Sequence, residues 1–408
     1  MSTVPVTRLF LLGLPGSGKT TAGRLVAQML GWSFADTDAL IEEQVGMSVP
    51  RIFAEDGESR FRALETAALE RAAATERVVI AAGGGAVSSA TNRSRMREAG
   101  WRVALSVAPS VALARLTAAS LNAGASTLDR PLLAGPDPLL RLHALYEQRR
   151  HWYAEADDVV ATDARDATAV AARVVAGLVG RGLVAPDGAL PEVRRVHPAA
   201  QNAYESVVAW GGLAQLGERV AGLDLPRRIH LVSDAHVNDL YGELLLTSLT
   251  AAGCDAALWT IPAGEGSKSR AQLDAIYDWL VERRAERGEA IVALGGGVVG
   301  DLAGFAAATY LRGMPLIHVP TSLLAQVDAS IGGKVGIDHP RGKNLIGAFH
   351  QPRLVLADPA ALLTLPARAR REGWAEAIKL GIVLDATYFV RLEGGATALR
   401  ALTPAPTT

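Results

Sequence analysis

Short apolar runs alternate with amphipathic stretches along the first 182 residues. The runs Arg8–Leu12, Val78–Ala82 and Arg102–Val107 have the length and apolar character of buried strands. The segments Lys19–Leu30 and Ala167–Val179 have helical patterns. Because this alternation is typical of a parallel sheet with helices, residues 1–182 are predicted to form an α/β domain.

The alternation is interrupted once and then begins again. Residues 183–192 contain Pro186, Gly188 and Pro191, a composition that is typical of a linker. Since 408 residues exceed one ordinary core, we predict a second α/β domain at residues 193–408. Its predicted strands are Ser206–Ala209, Arg228–Val232, Ala256–Ile261, Ala290–Leu294 and Leu316–Val319.

Composition and charge exclude several classes of protein. Hydrophobic residues make up 49% of the chain and charged residues 20%, which excludes a disordered chain. The 41 basic and 42 acidic residues give a formal net charge of −1, so no broad basic field is available for nucleic acid or anionic lipid. The one cysteine, Cys254, excludes an intrachain disulfide and a cysteine-based zinc cluster.

Two apolar stretches have to be distinguished from targeting or membrane segments. The run Leu9–Leu14 leads directly into Gly16 and Lys19, with no cleavage site of small residues. The stretch Ala290–Leu311 contains Asp301 and five glycines, which argues against a helix in lipid. We therefore expect a cytoplasmic protein with neither a membrane nor nucleic acid as partner.

A phosphate-binding motif lies between the first predicted strand and helix. Residues 13–20, GLPGSGKT, match G-x-x-x-x-G-K-[ST], in which Lys19 supplies charge to the phosphates and Thr20 a hydroxyl ligand for Mg²⁺. An incidental glycine turn is the alternative, but the agreement of pattern and setting argues against it. The predicted nucleoside triphosphate site consists of Gly16, Ser17, Gly18, Lys19, Thr20 and Thr21.

Two carboxylates follow the apolar segment Trp32–Ala35. In a strand, alternation would put Asp36 and Asp38 on one face at the end of the strand. One could then support Mg²⁺ through water while the other accepts hydroxyl groups of a substrate. A helix N-cap is the alternative structural role, and it is compatible with this function.

Further features of the first domain narrow the substrate. Arg62 and Glu65 share a helical face, a spacing that is most often found in a surface ion pair. The triplet Gly83–Gly85 follows a predicted strand, where backbone without side chains can approach a small ligand.

Two more arginines come later in this domain. Arg130 ends the polar, Gly/Ala-rich stretch Ser120–Asp129, whose composition is typical of a mobile lid. Arg149 lies in a basic helical run that ends in Tyr153.

In combination these motifs resemble the shikimate kinase family over nearly all of residues 8–182. The segments DTD, FRALE, GGG and RPLL and an arginine four residues before a tyrosine carry the resemblance. It implies a P-loop α/β sandwich that transfers phosphate from ATP to the 3-hydroxyl of shikimate. It also implies that Lys19 and Arg130 hold ATP phosphates, that Thr20 binds Mg²⁺, and that Asp36 orders a water on the metal.

For the substrate, the resemblance implies that Asp38 binds shikimate hydroxyls and takes the 3-hydroxyl proton. The catalytic residues would then be Lys19, Asp38 and Arg130. Arg62 and Arg149 would grip the carboxylate, which suits the bidentate geometry of arginine, and Gly84 would contact the ring through its backbone. The stretch before Arg130 lacks the second arginine that lids of this family usually carry, which puts lid closure and turnover rate in question.

A second glycine-rich motif lies in the second domain. Residues 295–301, GGGVVGD, follow the predicted strand Ala290–Leu294 and match G-x-G-x-x-G, a weak signal on its own. A glycine loop at residues 264–268 adds a carboxylate and a cation. Residues 328–344 combine lysines with a sequence that is too apolar and glycine-rich for an ordinary exposed loop.

The run from Gly295 to Leu380 resembles 3-dehydroquinate synthase, and weaker similarity extends over residues 193–395. The segments GGGVVGDLAGF, VPTSLLAQVDASIGGKVGID, GKNLIGAFHQP and GWAEAIKLG carry it. The resemblance implies a doubly wound domain that uses NAD and Zn²⁺ to convert a seven-carbon keto acid phosphate into 3-dehydroquinate. The implied NAD-binding residues are Asp234, Glu265, Lys268, Gly297, Val298, Asp301, Thr321, Ser322 and Lys343. The implied substrate-binding residues are Arg312, Lys334, Asn344 and Lys379.

The implied metal site departs from that family. Glu376 would be one Zn²⁺ ligand, but the family adds two histidines from a following helical domain, and no residue after Glu376 is histidine. A catalytic zinc needs about three protein ligands. We therefore expect a kinase fused to a synthase part that lacks its histidine-bearing domain, binds NAD weakly and does not turn over. Such a chain would expose the apolar residues Ile378, Leu380 and Ile382.

The leading interpretation is a bifunctional enzyme of the shikimate pathway, with a homodimer through the second domain as a candidate assembly. One alternative is a monofunctional shikimate kinase whose second domain serves binding or oligomerisation. The other is a P-loop kinase of a different small metabolite, such as gluconate or a nucleoside. Arg62, Arg149 and the glycine triplet argue against this last alternative.

Overall fold

A computed structural model describes residues 5–122, 133, 137–184, 192–196 and 203–396. The chain divides into two compact units, residues 4–177 and residues 178–408, and each is described by itself. In the described residues, no helix is both long enough and apolar enough to cross a membrane.

The first unit is built on a parallel sheet of five strands. In sheet order these are β2 (Ser33–Asp36), β3 (Val78–Ala81), β1 (Arg8–Leu12), β4 (Trp101–Ser106) and β5 (Asp158–Ala161). The helices are α1 (Lys19–Leu30), α2 (Thr37–Val45), α3 (Val49–Glu55), α4 (Gly57–Ala73), α5 (Ala90–Ala99), α6 (Pro109–Asn122), α7 (Pro138–Tyr153) and α8 (Ala167–Gly180). The central strand β1 is apolar, and Leu9, Phe10 and Leu11 are fully buried in the core.

The topology of this sheet places three polar segments side by side. Strands β2, β3 and β1 are parallel neighbours, so their carboxyl ends lie at one edge. Asp36 ends β2, Gly83 follows β3, and Gly13 follows β1. Residues that are distant in sequence therefore meet at this edge.

The second unit contains a sheet of seven strands and a separate ribbon of two. In sheet order the seven are β6 (Glu192–Val196), β7 (Tyr204–Val208), β14 (Leu354–Ala357), β11 (Leu316–Pro320), β10 (Ala290–Gly295), β8 (Arg228–Asp234) and β9 (Asp255–Ile261). All neighbours are parallel except β6 and β7. The antiparallel ribbon is β12 (Lys334–His339) and β13 (Gly342–Phe349).

The helices of this unit cover the crossovers between strands. They are α9 (Leu216–Ala221), α10 (Ala235–Val237), α11 (Glu243–Ala251), α12 (Arg270–Glu282), α13 (Gly297–Thr309), α14 (Ala367–Leu384) and α15 (Ala386–Gly394). Strand β8 has β9 on one side and β10 on the other, so the winding reverses between β8 and β10. The crevice at the carboxyl ends of such strands is the usual ligand site of an open α/β sheet.

The predicted α/β fold class with parallel sheets is confirmed. Strand Arg8–Leu12 and helix Lys19–Leu30 have the predicted bounds. The division between the units falls within α8, a few residues before the predicted domain end at residue 182. The predicted linker 183–192 lies mostly outside the described residues, and the domain boundaries stay a prediction.

Candidate active sites

The loop between β1 and α1 is shaped for a phosphate group. Gly16 and Gly18 have φ angles of +80° and +93°, the left-handed region that favours glycine. A Cβ on Gly16 would collide with the carbonyl oxygen of Ala112, so no side chain fits there. Helix α1 begins at Lys19 with no capping side chain among the described residues. Its first backbone N–H groups are therefore available to an anion.

The predicted magnesium residues are in direct contact. Thr20 Oγ1 donates to Asp36 Oδ2 at 2.7 Å. A hydroxyl and a carboxylate in contact are the type of oxygen donors that Mg²⁺ binds, directly or through water. Lys19 Nζ donates to the carbonyl oxygens of Gly13 at 2.8 Å and Leu14 at 2.9 Å, so the ammonium group lies against the phosphate loop.

The predicted placement of Asp36 and Asp38 on one strand face is wrong. Strand β2 ends at Asp36 and α2 begins at Thr37, so Asp38 lies in the first turn of a helix. Asp36 Oδ1 accepts a hydrogen bond from the Asp38 backbone N–H at 3.0 Å. The N-cap alternative is confirmed, because a carboxylate at this position satisfies N–H groups that the helix leaves unpaired.

One cleft of about 830 Å³ contains the phosphate loop and part of the predicted acceptor site. Asp38 and Gly84 line it, and it extends to Arg115 and Arg165. The phosphate loop and two residues of the predicted acceptor site therefore border the same cleft.

Charged side chains enclose the glycine triplet. A Cβ on Gly83 would lie 2.5 Å from Glu65 Oε1 and 2.8 Å from Asp38 Oδ1. A Cβ on Gly85 would collide with the guanidinium group of Arg62. No larger residue fits, and two carboxylates and an arginine therefore converge on bare backbone.

The pairing of Arg62 with Glu65 is present, but its predicted surface setting is wrong. Arg62 Nη1 lies 2.8 Å from Glu65 Oε2, and the Glu65 side chain is only 2% exposed. Burial raises the pKa of Glu65, Arg62 opposes that shift, and Asp38 adds to it. Helical spacing predicted the pair, but it carried no information that this face of α4 lies against the loop after β3.

Arg149 and Tyr153 lie one turn apart on α7 and share an acceptor. Arg149 Nη1 donates to Gly84 O at 2.6 Å, and Tyr153 Oη donates to the same oxygen at 3.2 Å. Both side chains are buried. Burial raises the pKa of Tyr153 to about 12, so its hydroxyl is a donor at neutral pH. Gly84 in turn lies against Pro15 of the phosphate loop.

In the second unit, neighbouring strands β8 and β10 carry the predicted cofactor turn. Strand β10 ends in Gly295, and α13 begins at Gly297 with no capping side chain among the described residues. A Cβ on Gly295 would lie 2.6 Å from Val299 Cγ2, so helix and strand approach closely. Asp234 ends β8, and its Oδ1 accepts two backbone N–H groups of α10, each at 2.9 Å.

The predicted Thr–Ser pair borders this turn. The Thr321 backbone N–H donates to Gly295 O at 2.9 Å. A Cβ on Gly296 would lie 3.4 Å from Ser322 Oγ. Val298, in the first turn of α13, is half-buried. The turn and the end of β11 therefore form one surface.

Lys268 is the centre of a charged cluster. It is 6% exposed, and its Nζ contacts the carboxylate of Asp301 and Oδ1 of Asn344. Burial raises the pKa of Asp301, whereas Lys268 opposes that shift. Lys343 Nζ lies 2.8 Å from Glu265 Oε1. The structure thus brings these five predicted residues into two contacting groups.

Family comparisons agree with the motifs of both units. Residues 15–178 match the family model of shikimate kinase, and residues 258–372 match that of the 3-dehydroquinate synthase N-terminal domain. The chain thus joins a region of the shikimate kinase family to a region of the 3-dehydroquinate synthase N-terminal family, called here the kinase domain and the synthase domain.

Individual relatives cover one domain each. The 3-dehydroquinate synthase of Nostoc punctiforme is 52% identical over 193 residues, which are 47% of this chain and 53% of that protein. The chain thus spans about half the length of the curated relatives it matches. The solved shikimate kinase from Acinetobacter baumannii in complex with shikimate is 32% identical, with a TM-score of 0.40, and the match covers 44% of this chain and 96% of that one. The 2-epi-5-epi-valiolone synthase from Streptomyces hygroscopicus, with NAD⁺ and Zn²⁺ bound, is 36% identical, with a TM-score of 0.47, over 52% of this chain and 59% of that one.

Some predicted residues of the synthase domain stand apart from the Lys268 cluster. Arg312 follows α13 with a φ of +66° and is exposed, and Lys334 is exposed at the start of β12. Neither forms an ion pair with a described residue. Lys379 lies on α14 and pairs with Glu376 on the same helix.

The described residues do not supply a Zn²⁺ site around Glu376. Its Oε1 contacts Lys379 Nζ, so a metal would compete with an ammonium group for this oxygen. No group of three or more His, Cys, Asp or Glu side chains that could hold a metal is present in the described part of the chain. Zn²⁺ therefore does not fit the donors found there.

The remaining predictions have mixed outcomes. On α14, Ile378 is 42% and Ile382 is 67% exposed, whereas Leu380 is half-buried. Arg130 lies outside the described residues, as does most of the stretch Ser120–Asp129.

Two side chains of the kinase site make contacts that the sequence patterns did not predict. The sequence indicated only that Tyr153 follows Arg149 by four residues, yet its hydroxyl binds the same carbonyl oxygen as Arg149. Glu65 was predicted to lie at the surface, yet its carboxylate lies against Gly83. The spacing of Tyr153 from Arg149, close to one helical turn, was the available signal for the first.

Proposed function

We propose that this chain is a fused enzyme of the shikimate pathway whose kinase domain transfers a phosphoryl group from ATP to the 3-hydroxyl of shikimate. The observation that supports this most is the convergence of Asp38, Arg62 and Arg149 on the triplet Gly83–Gly85, beside the phosphate loop. This set of charges suits an acceptor with one carboxylate and several hydroxyls. A nucleoside would leave the arginines without an anion.

Residues near the phosphate loop would carry out the transfer of the phosphoryl group. Asp38 accepts the proton of the attacking hydroxyl. Lys19 and the N–H groups at the start of α1 stabilise charge on the phosphoryl group, and Arg130 is proposed to share this role. Thr20 and Asp36 would hold Mg²⁺, which neutralises charge on the phosphate oxygens when bound.

Binding of the acceptor uses an exchange of hydrogen bonds. Arg149 gives up Gly84 O and turns to the substrate carboxylate, which Arg62 also binds. Tyr153 keeps its hydrogen bond to Gly84 O, so the glycine loop stays in place during the exchange.

A screen of acceptors tests this function. ADP formation from ATP by the full chain is measured with shikimate, gluconate or a nucleoside as the second substrate. We expect rapid ADP formation with shikimate only. Phosphorylation of another acceptor in preference to shikimate would overturn the assignment.

For the synthase domain we propose NAD binding at the turn between β10 and α13. The N-terminus of α13 suits the pyrophosphate, and Asp234, Thr321 and Ser322 border the same crevice. Lys268 and Lys343, with their carboxylate partners, complete the proposed site. Asn344, Arg312, Lys334 and Lys379 keep their proposed role in binding a seven-carbon keto acid phosphate.

Dehydroquinate formation, the reaction of the synthase family, needs more metal donors than the described residues supply around Glu376. Purified full chain with NAD and Zn²⁺ is expected to bind NAD without forming dehydroquinate. This outcome favours the alternative in which the synthase domain serves binding or oligomerisation. Zinc-dependent turnover would instead show that the metal finds further ligands.

A homodimer through the synthase domain and a cytoplasmic location are also proposed. Sedimentation of the full chain and of a variant without residues 193–408 tests the assembly. A monomeric full chain would contradict it.

A further inference from the structure

We propose that Asp338 is a positioning residue for the NAD site, an inference that rests on the proposed function of the synthase domain. Three hydrogen bonds join it into a closed ring with Lys268 of that site and with Asn344, which is proposed to bind the keto acid phosphate. The Asp338 backbone N–H donates to Lys268 O at 2.8 Å, and the Asn344 N–H donates to Asp338 Oδ1 at 2.8 Å. Lys268 Nζ donates to Asn344 Oδ1 and closes the ring.

The ring holds Asn344 in an uncommon backbone conformation. Asn344 has a φ of +57°, in the left-handed region that asparagine adopts more readily than most residues other than glycine. The Asp338 carboxylate accepts the N–H of this residue and so stabilises it in that conformation. The side-chain amide of Asn344 is thereby held against the Lys268 ammonium group.

The ring also fixes Lys268 from its backbone. Residues Glu265–Ser267 form a short 3-10 turn that ends at Lys268, and the Lys268 carbonyl accepts the Asp338 N–H. The Lys268 side chain then contacts Asp301 in α13, the helix that begins at the glycine turn. Asp338 therefore acts through Lys268 and Asn344, and it connects the β12–β13 ribbon to the proposed pyrophosphate site.

Substitution at Asp338 separates positioning from general stability. Asp338→Ala removes the acceptor for Asn344, whereas Asp338→Asn keeps an oxygen at the same place. His339→Ala is the matched control, because His339 accepts the Arg341 N–H in the same turn but lies outside the ring. For the full chain, NAD affinity is measured by titration calorimetry and amide exchange by mass spectrometry of peptides spanning residues 338–346.

We expect Asp338→Ala to weaken NAD binding about tenfold and to speed exchange in the peptide that contains Asn344. Asp338→Asn and His339→Ala should bind NAD within about twofold of the wild type. If Asp338→Ala destabilises the fold, Asn344→Gly provides the second variant, since it relieves the left-handed backbone but loses the amide. Its NAD affinity should fall as well, and the double variant should lose no more than either single one.

Wild-type NAD affinity in Asp338→Ala, or an equal loss in Asp338→Asn, would overturn the positioning role. Absence of NAD binding by the wild type would overturn the proposed NAD function instead. In that case unchanged amide exchange in Asp338→Ala would also show that Asp338 does not fix the loop, so the two failures are distinguishable.

Discussion

The two domains hold their cationic side chains in different ways. In the kinase domain, Lys19 donates to the carbonyl oxygens of the phosphate loop, and Arg149 donates to Gly84 O. In the synthase domain, Lys268 contacts the Asp301 carboxylate and Lys343 pairs with a glutamate. A carbonyl carries no net charge, so Arg149 keeps its charge for an anionic ligand, whereas Lys268 and Lys343 already pair with carboxylates.

This difference indicates how each site receives its ligand. At Arg149 of the kinase domain an incoming carboxylate would replace a neutral acceptor, whereas Arg62 already pairs with the carboxylate of Glu65. In the synthase domain a ligand anion has to compete with carboxylates that already pair with the lysines. Arg149 thus has a neutral partner that an anion could replace, whereas Lys268 belongs to a charged network.

The largest expected effect comes from removing the Lys19 charge, which should impair the kinase domain and leave the synthase domain unchanged. Lys19→Ala should lower the rate of shikimate phosphorylation by a factor on the order of 10²–10³, because charge on the transferring phosphoryl group loses its stabilisation. NAD binding by the synthase domain should not change. More than about a tenth of wild-type activity in steady-state assays would contradict the assignment of the phosphate loop.

The second prediction concerns His318, a buried histidine of the synthase domain, and a further difference between the two domains. Burial lowers the pKa of His318 in the synthase domain to about 4, and His350 adds to the shift, whereas His143 and His151 of the kinase domain are exposed. The unfolded chain binds this proton near pH 6.5 and the folded chain only near pH 4. The contribution of neutral His318 to stability is therefore complete above about pH 6.5 and is lost as the pH falls toward 4.

The loss at His318 amounts to about 3 kcal/mol in the free energy of unfolding. Denaturant unfolding between pH 7.5 and pH 4 measures it. The His318→Gln variant should show a flatter pH dependence than the wild type over this range. Identical pH dependence of the two proteins would rule out His318 as the source.

The third prediction concerns recognition of the substrate carboxylate. Arg149→Leu should raise the shikimate KM at least about tenfold, because a charge-assisted hydrogen bond is lost, with the ATP KM little changed. Arg150→Leu is the matched control, since Arg150 is exposed on the same helix and pairs with Glu147. Equal losses for both substrates would point to a structural role.

The smallest expected effect is at Tyr153. Tyr153→Phe removes one neutral hydrogen bond to Gly84 O, the bond that is proposed to hold the glycine loop when Arg149 turns to the substrate. We expect the shikimate KM to rise about threefold, since such a bond contributes about 1 kcal/mol or less. Combining it with Arg149→Leu should show non-additivity, because both side chains bind one carbonyl. Simple additivity in a double-mutant cycle would argue against the shared role.

Local sequence patterns predicted the scaffold of both domains. Strand Arg8–Leu12 and helix Lys19–Leu30 have the predicted bounds because apolar alternation and the glycine turn are local signals. Asp38 was misplaced because two local rules competed, and helix capping by Asp36 outweighed strand alternation.

Local sequence patterns did not predict the contacts between segments that are distant in the chain. The burial of Glu65 depends on where α4 meets the loop after β3, which spacing within one helix does not encode. The link between Asp338 and Lys268 joins a strand to a loop far earlier in the chain and leaves no periodic signal. The family resemblance implied which residues contact ligands, but not which side chains hold those residues in place.

The most direct test of the central claim is ³¹P NMR of the full chain with ATP, Mg²⁺ and shikimate. It reports where the γ-phosphoryl group goes. The arrangement of Asp38, Arg62 and Arg149 beside the phosphate loop predicts a new phosphomonoester at the shikimate 3-hydroxyl that is absent with Lys19→Ala. ATP hydrolysis to inorganic phosphate without that ester would contradict it.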